Sequence, residues 1–368
     1  MPGSSRYDVD RAGVAALLSD RGEPRFRADQ VWAGLYERLA APAEMTDLPA
    51  GLRSWLDDAL PPALSLVAES VSDAGSTVKW LWALDDGARV ETVLMAYPDR
   101  VTVCVSTQAG CAMACGFCAT GQAGFSRHLR VGEIVEQVVR AAQRARSAEG
   151  RGRRVGNVVF MGMGEPLANY DRVWAAVERL HADVGLSARH LTLSTVGLVP
   201  GIQRLASERL PVNLAVSLHA ANDALRDSLV PINRRWPLSE LMAACRSYLD
   251  AKGRRLSFEW ALIDGVNDRR SDVLELADLA RPLGAHVNLI PLNPTPGYGV
   301  PGTPPAGVRS FRDGLRALGV NATVRQNRGT DIDAACGQLA ASTSSSGQRT
   351  STAVSSVALM PSTSRSAR

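Results

Sequence analysis

Three cysteines fall within eight residues of this chain, in the run Cys111-Ala-Met-Ala-Cys115-Gly-Phe-Cys118. Thiolates at that spacing can converge on one inorganic centre if the backbone loops tightly around it. Gly110 and Gly116 supply permissive backbone at that point. Four-iron clusters ordinarily take four cysteines. Three leave one iron without a protein ligand, which is the logic of an open catalytic metal position. Two other readings fit the same residues. Cys104 could complete a structural zinc site, although such sites usually draw on two separated ligand pairs, or the thiols could be inert core groups. Six cysteines in 368 residues are too few for a disulfide scaffold. Cys104, Cys111, Cys115 and Cys118 crowd into 15 residues while Cys245 and Cys336 stand alone. In a reducing compartment such crowding points to metal or redox chemistry.

Other groups could hold a ligand beside that centre. Gly162-Met-Gly164-Glu165-Pro166 offers glycines for close backbone approach, and carbonyls and a carboxylate that accept from an ammonium group. The same residues could equally be turn glycines and a helix-start acid. Ser194, Ser217-Leu218-His219 and Asn293 carry polar groups that are as readily strand-end hydroxyls, a loop histidine and a turn asparagine. Glu91, read alone, is a solvated strand carboxylate, and Cys336 a buried inert thiol.

The surrounding pattern decides whether these residues can meet. Alternating apolar runs predict strands near 101–106, 157–162, 190–195, 213–218, 257–263, 286–292 and 322–326. Helical periodicity lies between them near 131–146, 171–183, 200–208, 238–251, 271–281 and 306–318. Strand–helix alternation means a parallel sheet with helices outside it, and six such units predict a full or partial β/α barrel. A doubly wound open sheet is the runner-up. In a barrel the active site lies at the C-terminal strand ends. The cysteine loop, Gly164-Glu165, Ser194, Ser217-His219 and Asn293 all follow strands and fall on that one rim. Before the barrel, residues 1 to about 60 read as helices, and 77–84 and 88–97 as a hairpin through Asp85-Asp86-Gly87.

The segments VCVSTQAGCAMACGFCATG (103–121), VVFMGMGEPLANY (158–170), LTLSTVGLVP (191–200), VSLHAANDALRDSLVPIN (216–233), HVNLIPLNPTPG (286–297) and DIDAACGQL (331–339) resemble the RlmN family of radical S-adenosylmethionine (SAM) enzymes. The likeness covers roughly 85–340, with a looser match at FRADQVW (26–32). It implies a radical SAM partial (β/α)6 barrel with a small helical N-terminal accessory domain. The division expected is 1–75 for that RNA-binding-like domain, 76–100 for a hairpin connection, 101–340 for the core and 341–368 for a disordered tail. It also implies methylation of C2 of an adenine in 23S rRNA at the peptidyl-transferase centre, and in some members of tRNA anticodon loops.

By the same resemblance, Cys111, Cys115 and Cys118 hold a four-iron, four-sulfur cluster. Gly164, Glu165, Ser194, Ser217, Leu218, His219 and Asn293 bind SAM, of which each turnover uses two. Cys336 matches the cysteine that is methylated and carries the carbon, Glu91 the proton acceptor, and Cys104 the cysteine that resolves the adduct through a transient disulfide. An electron donor and a thiol reductant are then required. Adenine C2 is electron-poor and will not attack a sulfonium methyl, so a carbon radical must add to it. Two rivals remain: a related methylase of the Cfr group acting at adenine C8, and a non-catalytic iron–sulfur or zinc protein that binds RNA.

Composition sets the remaining bounds. With 45% hydrophobic and 21% charged residues the chain is of globular type. No apolar run is long enough to span a membrane and the start lacks a signal-peptide core, so a cytoplasmic protein is expected. Net charge is +4, and Arg349, Arg365 and Arg368 of the Ser/Thr-rich tail carry three of those charges. Any nucleic-acid binding must therefore come from local patches. The segment 127–154, with eight arginines against three glutamates and including Arg151, Arg153 and Arg154, reads equally as a phosphate-binding edge or as a solvated helix and loop; Arg25 and Arg27 are weaker candidates.

Overall fold

The computed structural model describes residues 5–150, 152–326, 328–335 and 337–339. Cys336, Arg151 and the tail 341–368 lie outside the described residues.

The chain opens with three helices, α1 (Arg11–Asp20), α2 (Phe26–Ala33) and α3 (Ala50–Ala59). Asp10 caps α1 by accepting from the Gly13 N–H at 2.7 Å. Leu18, Val31, Leu52 and Leu56 form their buried faces, with Leu35 just past α2 buried as well. Strands β1 (Ser65–Ser72), β2 (Thr77–Ala83) and β3 (Arg89–Ala96) follow. The hairpin expected from the Asp-Asp-Gly turn is present as β2 and β3. Strand β1 is one that alternation does not predict: it is an edge strand with Leu66 and Val71 exposed, so no burial pattern marks it.

From there the chain alternates: β4 (Val101–Cys104), the short pair β5 (Gln108–Gly110) and β6 (Phe125–His128) flanking α4 (Ala119–Gln122), then α5 (Val131–Arg146), β7 (Asn157–Phe160), α6 (Tyr170–Ala182), β8 (Leu191–Thr195), α7 (Val199–Ser207), β9 (Asn213–Ser217), α8 (Asp223–Leu229), α9 (Leu238–Lys252), β10 (Leu256–Leu262), α10 (Arg270–Ala280), β11 (His286–Pro291), α11 (Pro305–Ala317) and β12 (Ala322–Val324). Ten strands form one sheet in the order β1-β2-β3-β4-β7-β8-β9-β10-β11-β12. The first four pair antiparallel and the rest parallel. Six consecutive β/α units therefore curl into a partial barrel, the architecture expected, rather than a doubly wound sheet.

The sheet stays open between β1 and β12. Residues 328–335 and 337–339 form a strap across that gap. Arg328 donates to Ser76 Oγ at 3.0 Å, the Gly329 N–H to Asp73 Oδ2 at 3.2 Å, and Ser72 Oγ to Asp331 Oδ1. The N-terminal helices dock on the outside. Arg179 of α6 donates to the carbonyls of Tyr7 and Val9 at 2.7 and 2.9 Å, and Trp32 Nε1 donates to Asp183 at 3.1 Å. Among the described residues no helix is long and apolar enough to cross a membrane.

Candidate active site

The cysteine loop is held at its neck. Antiparallel pairing of β5 with β6 brings its two ends together, and the Cys111 N–H donates to the Gly124 carbonyl at 2.7 Å. Gly110 has φ +75°, and a side chain there would overlap that same carbonyl, so only glycine closes the neck. Cys111, Cys115 and Cys118 all line one cavity at the C-terminal end of the barrel. Burial pushes the Cys111 thiol up to about 12 and raises Cys115 as well, with the neighbouring cysteines adding repulsion. Thiolates buried so close together require a cationic centre. A structural zinc site would need a fourth ligand, and Cys104, the nearest further thiol in sequence, does not line this cavity. A three-thiol set fits an iron–sulfur cluster with one open position.

The opposite wall is built from the next strand ends. Gly164 has φ +100°, and a Cβ on it would fall 2.5 Å from Gln108 Cβ. The glycine lets the loop after β7 lie against Gln108, whose Oε1 accepts from the Glu165 N–H at 2.8 Å. The Glu165 carboxylate accepts from the Leu167 N–H at 3.0 Å and the Val196 N–H at 2.9 Å, tying the ends of β7 and β8 together. Burial lifts its pKa to about 7 despite those bonds. Glu165 is thus both a clamp between loops and a wall of the cavity.

Ser194 and Ser217 face each other from adjacent strands, Oγ to Oγ 3.5 Å, and both line the cavity with His219 and Asn293. His219 holds a left-handed backbone at φ +61°. Its Nδ1 accepts from the Ala261 N–H at 3.0 Å, so the proton resides on Nε2. Burial and the Arg226 charge lower its pKa to about 3, leaving a neutral ring packed edge-on to Phe117 at 4.8 Å. Leu218 differs from the other expected residues. Its side chain is fully buried in the core, its N–H donates to the Glu259 carbonyl at 3.0 Å, and its own carbonyl accepts from Arg226 Nε at 3.0 Å.

Cys104 and Glu91 lie outside this cavity. Cys104 lines an adjoining one together with Ala335 and Gly337, the residues on either side of Cys336. Cys104 pairs with Val93 across β3 and β4, which puts it on the same sheet face as Glu91. Glu91 is buried with its carboxylate 3.6 Å from Lys79 Nζ, and Lys79 also donates to the Asp333 carbonyl of the strap at 3.2 Å. Cys245 is buried in α9, away from either cavity.

Several residues that shape the site carried no motif. Arg226 is fully buried and donates to the carbonyls of Leu218 and Val196 and to Asn233 Oδ1 at 3.0, 2.6 and 2.8 Å. Gln137 of α5 accepts from the Ser106 N–H at 2.8 Å and from Thr92 Oγ1 at 2.9 Å, and donates to the Ser106 carbonyl at 3.0 Å. Glu259 and Arg325 also line the cavity of the three cysteines. Alternation along β10 was the one available signal for Glu259, since it puts Ser257, Glu259 and Ala261 on one face. Of the arginines in 127–154, Arg127, Arg130, Arg140 and Arg144 are engaged in ion pairs with acidic neighbours.

Comparison with known proteins agrees with this arrangement. Residues 105–280 match the model of the radical SAM superfamily, whose members use an iron–sulfur cluster and SAM. The chain is 55% identical over 353 residues to a protein of Salinispora tropica described as a probable dual-specificity RNA methyltransferase RlmN, covering 93% of this chain and 94% of that one. A protein of Mycolicibacterium paratuberculosis with the same description is 54% identical over 344 residues, covering 91% and 94%. The crystal structure of a radical SAM methyltransferase from Sphaerobacter thermophilus superposes with a TM-score of 0.88 at 51% identity, covering 92% of this chain and all of that one. With more than half its residues shared along nine-tenths of its length, this chain belongs to the RlmN family of radical SAM methyltransferases.

Proposed function

We propose that the protein methylates C2 of an adenine in 23S rRNA at the peptidyl-transferase centre, and of an adenine in tRNA anticodon loops, in the cytoplasm. The observation that carries this reading is the pair of joined cavities. One is lined by Cys111, Cys115, Cys118, Gly164, Glu165, Ser194, Ser217, His219 and Asn293, the other by Cys104 and the two neighbours of Cys336. Cys118, Thr120, Gly162, Arg325 and Gly337 line both, so a group made in one is within reach of the other.

In this reading the three cysteines hold a four-iron, four-sulfur cluster. Gly164, Glu165, Ser194, Ser217, the Leu218 backbone, His219 and Asn293 hold SAM, two molecules per turnover. Bound there, these groups supply radical chemistry that can form a bond to an electron-poor ring carbon. The neutral His219 presents an N–H donor, and the Glu165 loop presents carbonyls to an ammonium group. Cys336 carries the transferred carbon on sulfur. Glu91 accepts the proton lost from the ring carbon. Cys104, as thiolate, attacks the Cys336 sulfur; an S–S bond forms and the S–C bond breaks, its electron pair passing to the departing carbon, which is then protonated. A cellular thiol reductant restores both thiols, and an electron donor feeds the cluster. Residues 1–75 act as an RNA-binding accessory unit, 76–100 connect it, and 101–340 form the reaction core.

The test is anaerobic cluster reconstitution followed by assay on rRNA and tRNA fragments. Nuclease digestion and mass spectrometry should find 2-methyladenosine with wild type, none with Cys336→Ala, and an RNA-linked protein adduct with Cys104→Ala. A product methylated at C8 would move the protein to the Cfr-type reading. No SAM consumption, with Cys336→Ala silent, would leave an RNA-binding iron–sulfur protein.

A further inference from the structure

The barrel has a second opening at the end opposite the cysteines. The sequence sets basic residues just ahead of strand after strand: Arg100 before β4, Arg153-Arg154 before β7, Arg189-His190 before β8, Arg254-Arg255 before β10, and His286 at the start of β11. Parallel strands bring all of these to one rim. They surround the mouth of a cavity of about 930 Å³ whose lining includes five arginines and two histidines against a single carboxylate, Glu259. In a chain with 41 basic and 37 acidic residues this is a marked segregation of charge. A smaller cleft that shares Arg100, Asn157 and His190 extends the rim to Arg153 and Arg154.

Two of these arginines are engaged within the chain, Arg100 in an ion pair with Asp99 and Arg153 as donor to the Tyr97 and Pro98 carbonyls; the others are held ready. Among the described residues Arg154, Arg189, Arg254 and Arg255 have no ion-pair partner. Arg254 is instead oriented by a neutral group, donating to Asn213 Oδ1 at 3.1 Å. Arg140 and Arg144 of α5, by contrast, are paired with Glu136 and Glu149. Farther in, the wall turns to short polar side chains, among them Asn157, Thr192, Ser257 and Asn288. At its inner end the cavity shares Met161, Glu259 and Arg325 with the reaction cavity, and Met95, Met161 and Arg325 with the cavity holding Cys104. The lumen therefore leads from an arginine rim to the place where the carbon is transferred.

We propose that the RNA strand docks on this N-terminal rim, with Arg189, Arg254 and Arg255 taking its phosphates while the target nucleotide is threaded up the polar lumen toward Cys104. The inference rests on the RNA methyltransferase reading and adds the docking face and the route. The chemistry fits. Guanidinium forks match phosphate oxygens, and an enzyme that works on a base ring must take the base out of its stack into a pocket. Docking from this side leaves the cysteine rim free for the cluster.

The test uses the reconstituted full-length protein and a fluorescent RNA hairpin with an unpaired adenine. Anisotropy titrations between 50 and 200 mM salt compare wild type, Arg189→Glu/Arg255→Glu, and Arg270→Glu/Arg309→Glu, the same charge change on the opposite side of the barrel. The rim variant should bind at least tenfold more weakly, with a salt slope shallower by about 0.7 for each phosphate left without its arginine, while cluster absorbance and SAM affinity stay unchanged. The opposite-side variant should bind within twofold of wild type. If the glutamate pair lowers the melting temperature, Arg189→Gln/Arg255→Gln replaces it, with the same slope expected. Unchanged affinity and slope in the rim variant, or an equal fall in the opposite-side variant, overturns the docking face; 2-methyladenosine formed by wild type in the same preparation then leaves the methyltransferase reading standing. Wild type that neither binds nor modifies RNA overturns both.

Discussion

The Ala119 N–H donates to the Gly337 carbonyl at 2.8 Å. The residue after Cys118 is thereby bonded to the residue after Cys336, more than 200 positions along the chain. Thr120 adds a second tie from the same turn, its Oγ1 donating to the Leu339 carbonyl at 2.5 Å. The strap is thus registered against the cysteine loop by backbone geometry, independently of what any thiol does.

Thr120→Val should loosen that register. A buried carbonyl left without its donor costs about 1–3 kcal/mol, concentrated on a short segment. Iron content and SAM binding should stay at wild-type levels. RNA methylation should fall at least tenfold, and hydrogen exchange within 328–339 should speed up. Wild-type exchange with reduced methylation would place the effect of Thr120 elsewhere.

Alanine at any one of Cys111, Cys115 and Cys118 should abolish the visible absorbance of the anaerobically reconstituted protein. Cys245→Ala removes an equally buried thiol from α9 and should leave that absorbance intact, at a stability cost of about 1 kcal/mol. A triple-alanine chain that still bound iron would refute the assignment.

Glu165 and His219 push the pH dependence of stability of the metal-free chain in opposite directions. The Glu165 pKa rises on folding from 4.5 to about 7, so between those values the folded state holds more protons than the unfolded one and stability falls as pH rises. The full effect is at most about 3 kcal/mol. The His219 pKa drops from 6.5 to about 3, so its contribution is fully present above pH 6.5 and is lost as pH falls toward 3. Urea titrations of Glu165→Gln should show the downward slope between pH 4.5 and 7 flattened. His219→Asn, which keeps a residue type tolerant of the left-handed backbone, should lose stability less steeply under acid. A wild-type slope in either variant would show that the group replaced does not set it.

Arg226 should be a point of failure for the rim. Its guanidinium gathers the carbonyls at the ends of β8 and β9, and removing a fully buried, hydrogen-bonded charge leaves those acceptors empty. Arg226→Ala should lose about 3–5 kcal/mol by chemical denaturation. Arg226→Lys, with no fork to reach three acceptors, should recover less than half of that. A loss under 1 kcal/mol would show that water replaces the network.

The barrel was legible because its signals are local. Each expected parallel strand and outer helix appears within about two residues of where alternation and helical period put it, and the loops the strand-end rule gathered line one cavity. What escaped was tertiary. Gln137 sits mid-helix with no neighbouring motif, and its value lies in meeting Ser106 and Thr92 from other elements. Arg226 reads as one more surface arginine in a short helix. The arginine-rich stretch 127–154 left an RNA-facing edge and a solvated helix equally open, because sequence cannot show that Glu133 and Glu136 claim Arg127, Arg130 and Arg140. The basic rim stayed hidden for the converse reason: its members are scattered over some 190 positions and become neighbours only once the strands lie side by side.

The strap has a consequence for how the enzyme is made. Asp331 meets Ser72 across 259 positions, and Asp333 meets Lys79 across 254. A chain growing from its N-terminus lays down the seats for the strap early and the strap itself only after every β/α unit has emerged. Contacts that close so long a loop are also slow to form. A chain that has not yet grown past the last β/α unit therefore cannot hold Ala335 and Gly337 against the cysteine loop, and the two cavities cannot be joined before the strap is made.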